Sequence, residues 1–433
     1  MEDILAAARL VSEAAEVFTV SSEETVVHFE ANHLKQLQTR QRTSVALRLV
    51  KDGRVGFATA SGKVDAAAIV DNALETAQFG TEVKFRFPEK SRYPEVAVFD
   101  QAAGGVPVAE MVRLGTEMID RVREKSPEIV CEASVDKTDV SVRLMNSQGG
   151  EAAYRKSVFD MALEGSITRG TDMLFVGESQ SSCHPLTDTG VITAEVLRQL
   201  EWAQNNIPTP TGTLPVIFTP AGVASALLFP LMAAFSGKTV LEGASPIGQK
   251  VGEQVFDPQL SLWDDATLDY RPGSRPCDDE GVPSRLTALV DKGVVGGFLY
   301  DLQTAALAGK ESTGNGSRAH GIPSPAASAL VVGTGKATFA EMLADVKEGL
   351  VIEYLMGATQ GNVLGGDFSG NVLLGYRVEN GKIVGRVKDT MVYGNVYQVL
   401  REVSAVGKEA KWVGGSLLAP YLYCPRVSVA TRG

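Results

Sequence analysis

Residues 273–318 read GSRPCDDEGVPSRLTALVDKGVVGGFLYDLQTAALAGKESTGNGSR. The stretch opens on Cys277-Asp278-Asp279-Glu280-Gly281, three adjacent carboxylates closed by glycine. Two apolar runs, 287–290 and 294–300, flank Asp291-Lys292-Gly293, a short turn of the kind that joins antiparallel strands. A small-residue helix follows. Ser312-Thr313-Gly314-Asn315-Gly316-Ser317-Arg318 then supplies hydroxyls, amides and flexible backbone. Polar loops carried by a stiff hairpin are a common way to build a site. The same residue types also serve as plain turns.

Upstream, residues 3–17 have helical spacing at Ile4, Ala8, Val11 and Ala15. A strand is expected at 26–30, with His28 as one of its residues. Thr43, Val45, Leu47 and Leu49 alternate with polar or small residues, the period of a half-buried strand. Asp52-Gly53 turns the chain into a return strand at 55–60. Helices are expected at 64–78 and after Pro107, where Met111, Met118 and Val122 share a stripe. Strands are expected at 129–135, 140–146 and 152–163, with Ser147-Gln148-Gly149-Gly150 as a turn, and a helix at 191–203.

The cluster Asn205-Asn206-Ile207-Pro208-Thr209-Pro210-Thr211-Gly212 is the best linker. It divides the chain into an N-terminal domain, 1–206, and a strand-rich C-terminal domain, 213–433. The second half starts with a strand at 214–218. Thr219 caps a helix with Pro220 in its first turn. That helix runs to about Phe235 and carries a kink-prone Pro230. Later strands are expected at 328–332, 372–378, 383–387 and 421–430. Asn380-Gly381 makes a hairpin, and a helix at 339–351 enters through a Thr338/Glu341 capping box. Helices alternating with antiparallel hairpins give an α+β fold in two domains.

A chain of 433 residues exceeds one ordinary core. Apolar content of 44% with 21% charged residues is typical of globular proteins. The net charge of −11 and the lack of a basic run argue against direct nucleic-acid binding. Cys131, Cys183, Cys277 and Cys424 are dispersed, with no CxxC, so neither a zinc ribbon nor a disulfide framework is expected. No signal-like start and no membrane-length apolar run is read, which makes the cytoplasm the default residence and a membrane partner unexpected.

The ordered set Asp278-Asp279-Glu280-Gly281-Val282-Pro283, Gly297-Phe298-Leu299-Tyr300-Asp301 and Ser312-Thr313-Gly314-Asn315 resembles the TldD/PmbA family. That family is also labelled metalloprotease TldD/E or modulator of DNA gyrase. The likeness continues through Gly366-Asp367-Phe368-Ser369, Glu379-Asn380-Gly381, Gly394-Asn395 and Val406-Gly407. It reaches back to Thr39-Arg40, Gly53-Arg54-Val55-Gly56 and Asn146-Ser147-Gln148-Gly149. It covers nearly the whole chain.

In metal-bearing members of that family, the helix after the domain boundary carries HExxxH. Two histidines hold zinc and the glutamate activates water. Here the matching helix reads Ala226-Leu227-Leu228-Phe229-Pro230-Leu231-Met232-Ala233-Ala234-Phe235, with no His or Glu. The family's C-terminal Cys ligand has no match in Val413-Gly414-Gly415-Ser416, and Cys424 is not assigned that role. The chain has four histidines, His28, His33, His184 and His320. Of these, only His320 follows the Asn315-Gly316 loop. No catalytic or metal residue is therefore assigned to this chain.

The resemblance implies a metal-free PmbA/TldE-like branch that pairs with a zinc-bearing, TldD-like sister subunit. Zinc is expected only in that partner. Such a pair cleaves unfolded or extended peptides inside an enclosed cavity. Asp278, Asp279, Glu280, Asn315 and Asp367 are then the candidate peptide-binding residues. The acidic triplet can equally be a solvated loop or a helix cap. Three readings stand: the subunit just described, a self-paired non-enzymatic protein acting on a partner such as DNA gyrase, and a stand-alone peptidase.

Overall fold

The computed structural model describes residues 1–318 and 321–431. The first half builds one antiparallel sheet from two runs of hairpins joined by a long-range pairing between their first strands. Its strands are β1 (Ala14–Glu30), β2 (His33–Lys51), β3 (Arg54–Ser61), β4 (Val130–Asn146), β5 (Glu151–Arg169) and β6 (Asp172–Ser182), in spatial order β3-β2-β1-β4-β5-β6. Asp52 and Gly53, with φ of 50° and 71°, make the β2–β3 turn. Two left-handed residues match the twist of the strands they join.

Helix α1 (Glu2–Val11) stops well before residue 17. Ser12 is extended, its hydroxyl bonds the Ala8 carbonyl, and the chain enters β1. β1 pairs along nearly its whole length with both β2 and β4. A ladder bonded on both sides outweighs the helical spacing of a few alanines. The two strands expected at 129–135 and 140–146 are one strand, β4. Its polar middle, Asp136-Lys137-Thr138-Asp139, is not a turn. β6 was not foreseen.

Helices α2 (Ala66–Ala77), α3 (Val108–Lys125) and α4 (Gly190–Trp202) follow the sequence reading closely. Asp65 caps α2 by accepting from the Ala67 and Ala68 amides. On α3, Met111, Leu114, Met118 and Val122 are buried at helical spacing.

The second half holds an 11-stranded mixed sheet. Part of it closes into a ring: β7 (Gly212–Phe218), β8 (Glu348–Met356), β9 (Asp367–Glu379), β10 (Thr390–Asn395) and β11 (Leu417–Thr431). β7 runs parallel to β8 and antiparallel to β11, while β8–β9, β9–β10 and β10–β11 are antiparallel. The chain is thus α+β. The helix expected at 339–351 ends at Asp345. Its capping box forms, but Val346 is extended and Glu348–Met356 becomes β8. A continuous apolar run of this length reads equally as helix or buried strand. The strand expected at 294–300 is only Val294–Val295; Gly296 is exposed, and Phe298, Leu299 and Tyr300 are buried outside any strand.

One apolar cluster unites both halves. It contains Val27, Met161 and Leu163 of the first sheet, Met111 and Met118 of α3, and Val196 of α4. Ile217, Val351 and Tyr376 of the ring complete it. α3 and α4 therefore lie between the sheets. The opposite face of β4 and β5 carries Glu132, Ser134, Asp136, Asp160, Ala162 and Glu164.

Candidate functional site

Segment 273–318 folds into a buried polar knot. Asp278 is 2% exposed. Its Oδ1 accepts from the Glu280 and Val282 amides, both at 2.9 Å, and its Oδ2 from the Gly316 amide at 2.8 Å. Burial, and then the nearby Glu280 charge, push its carboxyl up to about 7, against the pull of those amides. Glu280 is fully buried; its Oε1 meets Arg48 Nη1 at 2.6 Å and its Oε2 accepts from the Leu302 amide at 2.7 Å.

Arg48 also lies 3.0 Å from Glu16, its direct partner across β1 and β2. Arg318 bonds the same Glu16 carboxylate. Phe85 and Phe87 cover Arg48, with ring centroids 4.8 and 5.0 Å from its guanidinium carbon. Burial raises the Glu16 pKa while Arg48 and Arg318 oppose the rise. These four charged side chains clasp the loop to the first sheet.

Asp279 is half-buried, held by Arg275 at 3.0 Å and by the Arg318 amide at 2.8 Å. Asn315 is 2% exposed and donates to Asp264 at 2.6 Å and to the Ala326 carbonyl at 3.1 Å. Asp264 in turn accepts from the Ser328 and Ala329 amides. Asp278, Glu280 and Asn315 therefore face protein in this chain and present no open polar edge. Asp367 stands apart, exposed at the start of β9, and accepts from Asn395 at 2.8 Å. His320 lies outside the described residues.

The open space is elsewhere. A cleft of about 490 Å³ lies where β4, β5 and β6 meet α4 and the ring. Val130, Phe175, Tyr354 and Leu374 give it apolar walls, and Glu132, Glu164, Glu178 and Glu353 line it with carboxylates. Burial raises the pKa of Glu178 and of Glu353, the latter opposed by Arg198, which bonds it. β6 is the edge strand here. Gln199 occupies part of that edge, exchanging side-chain hydrogen bonds with the Gly177 amide and carbonyl at 2.8 and 3.0 Å. None of these residues was singled out from the sequence. The available signal was the period-two alternation of Glu132, Ser134 and Asp136 with Cys131, Ala133 and Val135.

The segment after β7 comprises Pro220–Val223, a π turn at Ala224–Leu228 and Phe229–Phe235. Thr219 caps it by accepting from the Gly222 amide. Pro230 lacks an amide hydrogen, and the ladder ahead of it widens to π. Val223, Leu227, Leu228 and Leu231 line a cavity of about 40 Å³ with Phe256, Leu260 and other apolar groups, beside a single hydroxyl, Ser261. Cys424 is buried in β11, and burial pushes its thiol up to about 12. A lining of aliphatic carbon with one hydroxyl offers zinc no donor set. Among the described residues, no group of three or more His, Cys, Asp or Glu is placed to hold a metal. Likewise, no described helix is long and apolar enough to cross a membrane.

Comparison with known proteins agrees with this architecture. Residues 211–431 match the PmbA/TldA metallopeptidase C-terminal domain, and residues 15–77 match domain 1 of the same family. An uncharacterised protein of Methanocaldococcus jannaschii is 28% identical over 391 residues, 89% of this chain and 90% of that one. A metalloprotease TldD homologue of Haemophilus influenzae is 31% identical over 221 residues, 50% of this chain and 45% of that one. The crystal structure of TldE from Thermococcus kodakarensis superposes with a TM-score of 0.90 at 25% identity, covering 99% of both chains. A proposed modulator of a DNA gyrase from Thermotoga maritima shares the fold, with a TM-score of 0.88 at 24% identity and 99% of both chains covered. The match over 211–431 spans more than half the chain, and the chain belongs to the PmbA/TldD metallopeptidase family.

Proposed function

We propose that this chain is the metal-free subunit of a TldD/E-type metallopeptidase complex, shaping the cavity and holding extended peptide for a zinc-bearing sister subunit. One observation carries the reading. The helical segment that bears HExxxH in metal-bearing members carries leucines here, and those leucines line an apolar cavity. Zinc in the sister would polarise the scissile carbonyl and activate water. This chain's residues would bind and orient. The part of the β6 edge that Gln199 leaves free offers backbone groups to an extended segment, and the apolar walls of the cleft exclude water from it.

Among the candidate peptide-binding residues, Asp279 and Asp367 keep some exposure and remain available to a peptide. Asp278, Glu280 and Asn315 support the loop from behind. Substituting Asp279 or Asp367 by Ala with no change in peptide affinity would remove them from the site.

The test is to purify the chain alone and together with a sister chain carrying HExxxH. Zinc per chain and cleavage of unfolded peptide are then measured. Near-zero zinc in this chain and cleavage only by the mixture are expected. About one zinc per chain, or cleavage by this chain alone, would overturn the reading in favour of a stand-alone peptidase. A lone dimer that binds a folded protein and leaves mixed-chain activity unchanged would favour the non-enzymatic alternative.

A further inference from the structure

The outward face of the β4–β5 ladder carries two like-charged pairs set directly opposite one another. Glu132 faces Glu164, and four residues along, Asp136 faces Asp160. Like charges in directly opposed positions destabilise a sheet. Among the described residues, none of these four carboxylates forms an ion pair with Lys or Arg, and neither does Glu178 beside them. The one lysine on the same face, Lys156, turns its ammonium to the Pro272 carbonyl at 2.7 Å. Oδ1 of Asp136 is buried without a partner.

The first of these pairs lines the 490 Å³ cleft. The floor there is made of small residues. Gly177 lies beside Glu164 in the next strand, and a Cβ on it would come within 3.3 Å of Glu164 Cγ. Ala162 and Ser179 continue the floor, and Val130, Phe175 and Tyr354 rise around it. A narrow trough with apolar walls and a doubled row of carboxylates suits a long side chain with an apolar stem and a cationic head. The two acidic pairs are about 13 Å apart along the strand, which is the reach from residue i to i+4 of another extended chain.

We infer that this face takes the lysine or arginine side chains of an extended peptide, one at the Glu132–Glu164 pair and a second at the Asp136–Asp160 pair. The inference rests on the peptide-holding role proposed above and narrows its substrate class to basic segments. A retained electrostatic cost is expected where a ligand relieves it.

Labelled unstructured peptides with Lys at i and i+4, and the same peptides with Gln there, are titrated into the full chain by fluorescence anisotropy. The Lys peptide is expected to bind about tenfold tighter at low salt, with the advantage lost at high salt. The advantage should also disappear in the Glu132→Gln/Glu164→Gln variant, and fall in Asp136→Asn/Asp160→Asn. Both variants relieve repulsion and should melt no lower than the parent, which guards against misfolding as the cause. Equal binding of both peptides, or a Lys preference that survives both variants, overturns the inference and leaves the peptide-holding role intact. Failure of every peptide to bind, also in the mixture with the sister chain, removes that role and this inference with it.

Discussion

Arg48 and Glu280 are 232 positions apart in sequence, yet their side chains meet at 2.6 Å with 2% and 0% of their surface exposed. The contact joins the first sheet to the acidic loop of the second half. With Glu16 and Arg318 it forms an alternating set of two cations and two anions without access to water. Removing one member leaves the others buried and uncompensated.

Arg48→Ala is therefore expected to cost about 3–5 kcal/mol of unfolding free energy. The measure is denaturant unfolding followed by circular dichroism. A loss below about 1 kcal/mol, the range of a surface pair, would show that solvent reaches the cluster.

Asp278 and Asp367 were read from the sequence as equivalent site residues, and they should now part company. Asp278→Ala orphans three buried amides and should cost about 2–4 kcal/mol. Asp367→Ala removes one exposed hydrogen bond and should stay within about 0.5 kcal/mol. Similar losses at both positions would contradict the burial described.

Asp136 supplies a pH dependence. Burial, and then the charges of Asp160 and Glu24, raise its carboxyl to about 6 from an ordinary 3.8. The folded state holds its proton longer than the unfolded chain does, so this group's contribution is present below about pH 4 and is lost as pH rises through about 6. Asp136→Asn should then raise the melting temperature at pH 8 and leave it unchanged at pH 4. An equal shift at both values would remove titration as the cause.

Leu227 is 1% exposed and lines the small cavity beside the π turn. Leu227→Ala enlarges that cavity and should cost about 2–5 kcal/mol. If the helix were instead a spare surface element in the single chain, thermal melting would move by no more than a degree or two.

The legible parts of the fold were those governed by local chemistry. Asp52-Gly53 and Asn380-Gly381 specify left-handed turns whatever surrounds them, and the caps at Thr219 and Thr338 satisfy amides of their own helices. The stripe on α3 is likewise local. What failed depended on distant partners. Ala14–Val20 becomes strand because β2 and β4 flank it, and 348–356 because β7 and β9 do. The acidic triplet stands out in the sequence, but the burial of Asp278 and Glu280 does not. Nothing near Glu280 in sequence announces that Arg48 waits for it. The cleft carboxylates were visible as an alternation, and their meaning needed the register that sets Glu132 against Glu164.

The closure of the ring by β7 and β11 also bears on how the chain is made. The first sheet needs no strand beyond β6 and can assemble while the chain is still leaving the ribosome. The ring cannot, because β7 at 212–218 needs β11 at 417–431 before it closes. Contacts of such long sequence separation form slowly. Until Glu280 and Arg318 have been synthesised, Glu16 and Arg48 have only each other. The nascent N-terminal half should therefore stay hydrated and dynamic around them. A chaperone that shields that half during translation would have its window of action set by the synthesis of Arg318.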